Sequence, residues 1–328
     1  MKVGVIFNGF SGKVMTPEEE ELRAMGLSAE RVLKELGFEV TLYDMDNPKN
    51  IEKLCDKSID VAFNVCERIN NNSVGEAYVA AFLEMLNIPH TRADSSLLIM
   101  GINKQLMKAV LSYNNIPTPK FQIFSNTNQP LNRTLRFPLI VKGVRCENSI
   151  GISSQSVVDN EIMLRKRVDY VLKELKQEAI VEEFIDGREL NVAILGGKQP
   201  IILPISEIVF DNLPTKKRIC DYEAKWFPDS EMYKKTIPSC PAILTMKDEK
   251  VVKDVALKCY KLLEATSYAR VDMRFKEGVP YVLEINHNPS IGEEGCGFVR
   301  SANSYGLSYK NMIKKILDCT IEKIGAKR

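Results

Sequence analysis

Residues 270–290 read RVDMRFKEGVPYVLEINHNPS, and the alternation inside this stretch decides the fold. Two runs rich in β-formers, 268–275 and 280–285, flank a Lys276-Glu277-Gly278 turn, so the spacing predicts a β-hairpin. Successive side chains on a strand point to opposite faces. Arg270 and Asp272 therefore share one face of the first strand, and Glu284 and Asn286 share one face of the second. Val271, Met273, Leu283 and Ile285 are expected to point the other way, into a core. Three oxygen-bearing side chains beside an arginine suit Mg²⁺ shared with phosphate groups.

Around this hairpin the chain has 328 residues, 45 of them Lys or Arg and 43 Asp or Glu, for a net charge of +2. At that length one hydrophobic core stops growing, so two or three domains are expected. A net charge near zero, scattered basic residues and a single Trp give neither a field nor a stacking platform for nucleic acid, and no attraction to anionic membranes. The eight cysteines, at 55, 66, 146, 220, 240, 259, 296 and 319, form no CxxC pair. Free thiols in a reducing cytoplasm are the expectation. The opening MKVGVIFNGF is too short an apolar run for a signal peptide. No stretch of about 18 apolar residues predicts a membrane span.

Within residues 1–93, strands are expected at 2–7, 39–43 and 61–65 and helices at 17–36, 50–56 and 74–86. That alternation predicts a parallel sheet with crossover helices, whose ligands meet the carboxyl ends of the strands. One helix is predicted over 97–113, stopped by Ile116-Pro117-Thr118-Pro119. Strands follow at 120–124 and 137–143, a charged helix at 159–176, and strands at 179–185, 189–195 and 200–208. Residues 211–239 read as long, polar and irregular, a length at which a loop is a functional lid or disordered. Helices at 247–264 and 308–324 bracket the hairpin.

Four segments add chemistry. The strand 137–143 ends in Lys142-Gly143 and feeds a loop holding Asn148, Ser149 and Gly151. A lysine beside exposed backbone N–H groups can cradle phosphate oxygens, although without GK[ST] this is not a Walker A loop. In VEEFIDGRELNV, 181–192, backbone between two strands can pair with an adenine edge, and Glu189 can accept from ribose hydroxyls. Lys225 in CDYEAKW, 220–226, lies on the lid-like segment and can close onto a triphosphate. Lys104, in Asn103-Lys104-Gln105, offers a further cation.

In this order, EEFIDGRELNVAIL, DYEAKW and ARVDM…YVLEIN resemble the ATP-grasp superfamily, and within it the D-alanine–D-alanine ligase family, over about residues 88–317. The resemblance implies an α/β and α+β chain, an ATP-grasp fold preceded by a parallel-sheet domain. The implied units are 1–93 on the substrate side, a central subdomain 94–182, and 183–328 with the metal and catalytic residues. Lys104 and Lys142 look like the nucleotide-phosphate lysines, and Glu182, Glu183, Phe184 and Ile185 like the adenine-contacting hinge. Glu189 looks like the ribose ligand and Phe275 like a further nucleotide contact. Asp272, Glu284 and Asn286 look like the ligands of two Mg²⁺ ions, with Mn²⁺ as a substitute. Arg270, the lid Lys225 and Ser149 look like the catalytic set, Arg270 stabilising a developing oxyanion. The implied activity is ATP-dependent joining of a small carboxylate to an amine through an acylphosphate, by a cytoplasmic homodimer without nucleic-acid or membrane partners.

The pattern departs where the family reads its substrates. Its Gly-Gly-x-Ser-x-Glu loop is here Asn8-Gly9-Phe10-Ser11-Gly12-Lys13, with no acid until Glu18. Its His-Gly-x-x-Gly-Glu segment is replaced by Asn64-Val65-Cys66-Glu67-Arg68, with Gly75-Glu76 further on. Asn148 and Trp226 stand where a serine and a tyrosine are usual, so the family's hydrogen-bonded Glu–Ser–Tyr set is expected to be absent. Gly295 falls where a serine grips the second substrate's carboxylate. Glu67, Arg68, His287, Ser290, Glu293 and Glu294 are the replacement candidates for substrate contact. The expectation is a ligase with altered substrates. The alternatives are an ATP-grasp kinase, which the retained Arg270 opposes, and a nucleotide-sensing pseudoenzyme, which the intact Asp272, Glu284 and Asn286 oppose.

Overall fold

Three sheets carry the chain in this computed structural model, which describes residues 1–326 except 11, 13, 71, 198, 264–266 and 294, with side chains up to 322. Strands β1 (Lys2–Phe7), β2 (Glu39–Asp44) and β3 (Val61–Asn64) form a parallel sheet in the order β2-β1-β3. Their crossovers are helices α1 (Pro17–Glu35) and α2 (Pro48–Leu54), and α3 (Gly75–Met85) follows β3. Pro17 opens α1 behind a Thr16–Glu19 capping box, which satisfies donors that the first turn leaves free. Leu22, Met25, Ala29, Val32 and Leu33 then line the buried stripe of α1.

Residues 97–113 are not one helix. Helix α4 (Ser95–Ile102) stops at Asn103, and α5 (Lys104–Tyr113) starts there. Asn103 takes extended dihedrals, and its side-chain oxygen accepts from the N–H groups of Gln105 and Leu106. An asparagine that caps the next helix offers the backbone an alternative to continuing the last one. The break puts Lys104 at the first position of α5, with its N–H on the carbonyl of Val144 at 3.1 Å.

The second sheet is antiparallel, with β4 (Phe121–Phe124), β5 (Leu139–Gly143), β6 (Val157–Val158) and β7 (Ala179–Glu183) in the order β4-β7-β5-β6. Helix α6 (Glu161–Lys173) covers it through Leu164, Val168 and Val171. The third sheet is built from β8 (Arg188–Leu195), β9 (Ile201–Ile202), β10 (Ser206–Phe210), β11 (Thr236–Ser239), β12 (Tyr268–Lys276) and β13 (Val279–Asn286). Its path is β11-β10-β8-β12-β13, with β9 beside β8. The strand expected over 200–208 is therefore two, separated at Leu203-Pro204-Ile205, where proline has no N–H to give a ladder. The stretch expected to be irregular is ordered: Asp221 and Ser230 cap α7 (Tyr222–Trp226) and α8 (Glu231–Lys234), and β11 joins the sheet edge.

Helices α4, α5 and α9 (Met246–Leu262) bury one face of the third sheet. Helices α10 (Gly297–Ser304) and α11 (Tyr309–Ala326) pack with α1, so the first and third sheets meet in one apolar core. Each fully buried Leu, Ile or Val there contributes about 1.5–3 kcal/mol.

The predicted hairpin is β12–β13, with Asp272 opposite Glu284 and Arg270 opposite Asn286. One detail departs from simple alternation. The register slips between Asp272 and Met273, which pairs with Val282, so β13 holds one extra residue. At such a bulge two successive side chains can keep to one side. Val282 and Ile285 are buried in the core, whereas both Leu283 and Glu284 line the cleft. Leu283 was expected in the core, and the bulge turns it out.

Candidate active site

The bulged face of the hairpin, the 144–153 loop and the α7 segment enclose a cleft of about 810 Å³. Of the residues singled out from sequence, Lys104, Lys142, Ser149, Glu182 to Ile185, Glu189, Lys225, Arg270, Asp272, Glu284, Asn286, Glu67, His287 and Ser290 line it. Phe275 and Arg68 do not. Phe275 is one position past Arg274, so strand alternation sends its ring into the core with Leu190 and Met273, and it is not among the residues lining the cleft. Arg68 instead lies over the Phe10 ring, 5.8 Å from its centroid. Glu293 is on the surface in an ion pair with Arg31, and Glu294 lies outside the described residues.

At one end the charges are closely paired. Glu182 is fully buried, with one carboxylate oxygen 3.3 Å from Lys142 Nζ and 3.4 Å from Lys108 Nζ. Burial opposes its charge, but the two ammonium groups outweigh burial and hold its carboxyl below the usual range. Burial in turn pushes Lys108 down to about 8, against the pull of Glu182. Lys108 also donates to the Thr118 hydroxyl at 2.9 Å. Sequence reading missed it; its spacing of one helical turn from Lys104 was the available signal. Glu189 receives Arg274 Nη2 at 2.6 Å, and the Arg274 guanidinium lies over the Phe184 and Phe210 rings. Burial raises the Glu189 carboxyl, with Arg274 pulling it back.

In the middle, Arg270 grips Asp272 with two bonds of 2.7 Å, and Asn191 gives Asp272 a third. Lys104 Nζ lies 3.8 Å from Glu284 and donates to the Cys146 carbonyl. Two carboxylates and one amide oxygen on cross-strand neighbours, all facing the cleft, form a hard-oxygen donor set that fits Mg²⁺. No group of three or more His, Cys, Asp or Glu with metal-holding geometry occurs among the described residues.

The 144–153 loop and the α7 segment are joined. Lys225 Nζ donates to Asn148 Oδ1 at 3.0 Å, Trp226 Nε1 to the Asn148 carbonyl at 3.3 Å, and Ser149 Oγ to the Cys220 carbonyl at 2.7 Å. Asn148 and Ser149 both have φ above zero, at 52° and 60°, an uncommon conformation that folds the loop back towards the lid.

Comparison with known proteins agrees with this geometry. The family model described as D-ala D-ala ligase C-terminus matches residues 109–318. A D-alanine–D-alanine ligase of Carboxydothermus hydrogenoformans is 32% identical over 98% of this chain and 99% of its own. One from Aquifex aeolicus is 30% identical over 97% of this chain and 100% of its own. The chain belongs to the D-alanine–D-alanine ligase family. A crystal structure of the Bacillus anthracis D-alanine–D-alanine ligase superposes with a TM-score of 0.79 at 25% identity, each chain covered in full. Another of that enzyme, complexed with ATP, gives 0.78 at 24% and the same coverage. The fold is thus that of an ATP-grasp ligase.

The substrate end differs from the rest of the cleft. Glu67, Glu76 and Glu147 converge there. Burial raises all three carboxyls, Glu147 to about 7; Glu147 and Glu67 further raise Glu76, Glu67 raises Glu147, and Glu21 raises Glu67. Glu76 is held by Arg92 at 3.2 Å and Asn288 at 3.0 Å. His287 is 3% exposed, neither ring nitrogen finds a hydrogen-bond partner among the described residues, and burial lowers its pKa to about 4. Gly101 leaves room for that ring, since a Cβ there would lie 2.9 Å from Cδ2. Ser290 donates to Glu21 at 2.5 Å, beside the Cys296 thiol.

The family's Glu–Ser–Tyr set is not reproduced here, yet its bridging is. The lid does reach the N-terminal helix, through other residues: Tyr222 donates to Glu18 at 2.8 Å. Asn148 bonds the lid through Lys225 and Trp226 instead of a serine hydroxyl. Tyr222 lies four positions before Trp226, on the next turn of α7, which is why position-by-position matching missed it.

Proposed function

We propose that this chain is an ATP-dependent ligase that joins the carboxylate of one amino acid to the amine of another, with D-alanine as the leading candidate for both. The observation that carries the reading is the cross-strand set Arg270, Asp272, Glu284 and Asn286 facing Lys104, Lys142 and the lid lysine across one cleft. A carboxylate is a poor electrophile, so its oxygen attacks the γ-phosphorus of ATP, giving an acylphosphate and ADP. The amine then attacks the acyl carbon, phosphate leaves, and an amide remains. Asp272, Glu284 and Asn286 would hold two Mg²⁺ ions, which would supply positive charge against the phosphate oxygens. Lys104 and Lys142 bind phosphate, Glu182 to Ile185 face the adenine, and Glu189 takes the ribose. Arg270 stabilises the oxyanion of the second step. Lys225, brought in by the lid, closes the cleft against water that would hydrolyse the acylphosphate.

The proposal includes units at 1–93, 94–182 and 183–328, supported by the three sheets, although α4 and α5 pack across onto the third. It also includes a cytoplasmic homodimer, which light scattering checks. No described helix is long and apolar enough to cross a membrane.

The test is phosphate release with Mg-ATP and pairwise mixtures of D- and L-amino acids, with mass analysis of the product. An amide with stoichiometric ADP is expected. A phosphate ester in its place, or no ADP with any pair, would sink the reading.

A further inference from the structure

The substrate end of the cleft carries more negative charge than its own cations answer. Glu67, past the carboxyl end of β3, and Glu147, in the 144–153 loop, are half-buried and line the cleft. Among the described residues neither carboxylate has an ion pair or a hydrogen bond. Glu21 of α1 has only the Ser290 hydroxyl and the Cys296 thiol, while Glu76 has Arg92 and Asn288. The cations these acids feel are held elsewhere. Arg92 is also on the carbonyls of Asn64 and Cys66, Lys104 is on the Cys146 carbonyl, Lys225 is on Asn148, and Arg68 lies over Phe10. Burial raises the carboxyls of Glu67, Glu76 and Glu147, so each resists carrying charge without a partner. The loop of Glu67 is nonetheless fixed, because wholly buried Asn8 accepts from the N–H groups of Glu67 and Arg68 at 3.0 and 3.4 Å. His287 lines the same cleft at 3% exposure, and neither ring nitrogen has a hydrogen-bond partner among the described residues. The next residue, Asn288, donates to Glu76 at 3.0 Å, which holds the imidazole at the acidic end. Kept neutral by burial, the ring can accept from an ammonium without repelling it. These groups do not make a metal site, since no three or more His, Cys, Asp or Glu among the described residues have metal-holding geometry. An organic ammonium, with three N–H donors on a flexible stem, can reach acids set wider apart.

We propose that this end of the cleft selects a substrate of net positive charge, one carrying a second ammonium group, with Glu67 and Glu147 as its seat and His287 as an acceptor beside them. Resting on the ligase reading above, the seat narrows one of the two substrates to a dibasic compound. A zwitterionic amino acid brings a carboxylate with its ammonium, so it leaves the excess of negative charge unchanged. A second ammonium removes one unit of that excess. The amine that attacks the acyl carbon must be neutral, so it is not the group the acids hold. Held in its charged form, the second ammonium is also kept from reacting, which leaves a single nitrogen to form the amide. A diamine and a dibasic amino acid share this chemistry.

The experiment sets each base against a neutral compound of the same length, in both chiral forms where there are two. The pairs are ornithine and norleucine, 2,4-diaminobutyrate and norvaline, and 1,4-diaminobutane and pentylamine. Each compound is offered with Mg-ATP, alone and with D-alanine, and amide formation is followed. Wild type is expected to favour the base in at least one pair by roughly ten-fold in kcat/KM, the scale of a hydrogen bond to a charged group. The pair that shows the preference tells whether the base is an amino acid or a simple diamine. Glu67→Gln and Glu147→Gln should each remove most of it by raising the KM of the base, with the KM for ATP and for the neutral partner within about two-fold. Glu147→Asp, which keeps the charge, should retain part of the preference, and His287→Phe should weaken it by less than either glutamine variant. Equal use of base and neutral partner in every pair overturns the proposal and leaves the ligase reading intact, as does a preference that survives both glutamine variants. The absence of amide product from wild type with any pair defeats the ligase reading and the seat that rests on it.

Discussion

The two ends of one cleft are built on different electrostatic plans. At the nucleotide end two carboxylates have cations in contact, with Glu182 between Lys108 and Lys142 and Glu189 on Arg274. At the substrate end Glu67, Glu76 and Glu147 crowd together with raised pKa values, and Arg300 has no carboxylate among the described residues. The first plan suits a highly anionic ligand, because a triphosphate is multiply charged at any physiological pH and needs cations. The second crowds like charges, with Glu76 alone of the three carboxylates held by an arginine, and its residues differ from the family pattern. Chemistry shared by the whole family constrains one end, while substrate choice leaves the other free to vary.

The comparison can be broken most severely at the centre. Asp272→Ala or Glu284→Ala should lower kcat by roughly 10³-fold or more, the scale lost when charge stabilisation of a transferring phosphoryl group is removed. Melting temperatures should stay close to wild type, and near-normal turnover in either variant would falsify the metal assignment. Next comes Lys108→Met, which leaves the buried Glu182 with one cation. Breaking a buried ion pair costs about 3–5 kcal/mol, so a clear drop in denaturation midpoint and a higher KM for ATP are expected. Wild-type stability would mean that Glu182 is not the charge both lysines serve.

Lys225→Ala should slow phosphoryl transfer by roughly 10²-fold and raise the KM for ATP, as removal of one electrostatic donor does. Unchanged pre-steady-state kinetics would make it a bystander. Glu147→Gln probes the substrate end through pH. The folded-state pKa of Glu147 is raised to about 7 from 4.5, so its neutral form favours folding. That contribution is complete below the unfolded pKa and is lost as pH rises through about 7. The variant should therefore flatten the fall in melting temperature between pH 4.5 and 7, and an unaltered slope there would contradict the raised value. Tyr222→Phe is the mildest change. Losing one hydrogen bond to Glu18 costs about 1 kcal/mol of lid closure, seen as a few-fold rise in KM, while Glu18→Gln, which keeps an acceptor, should do less.

Much of this was legible along the chain. Period-two alternation located the hairpin and put Arg270, Asp272, Glu284 and Asn286 on one face, because strand geometry is local. That residues 182–185 and the lysines at 104, 142 and 225 border one cleft was expected from residue type beside strand ends and loops. Leu283 was placed on the wrong face, and Phe275, carried over from the family as a nucleotide contact, lies in the core. A bulge depends on how the partner strand registers, and family matching carried over a position without testing its parity. The break at Asn103 was hidden because a cap residue inside an apolar run looks like any other helical position.

By itself, then, the order of residues set the elements, their faces and the family, since these follow from backbone periodicity and neighbours a few positions apart. Only the tertiary structure decided which charges meet. Lys108 finds Glu182 across a separation of 74 residues, Tyr222 finds Glu18, and Arg300 stands beside Arg270 over a glycine. The strength of a charge depends on burial and on partners brought from distant segments, and neither exists until the sheets have packed.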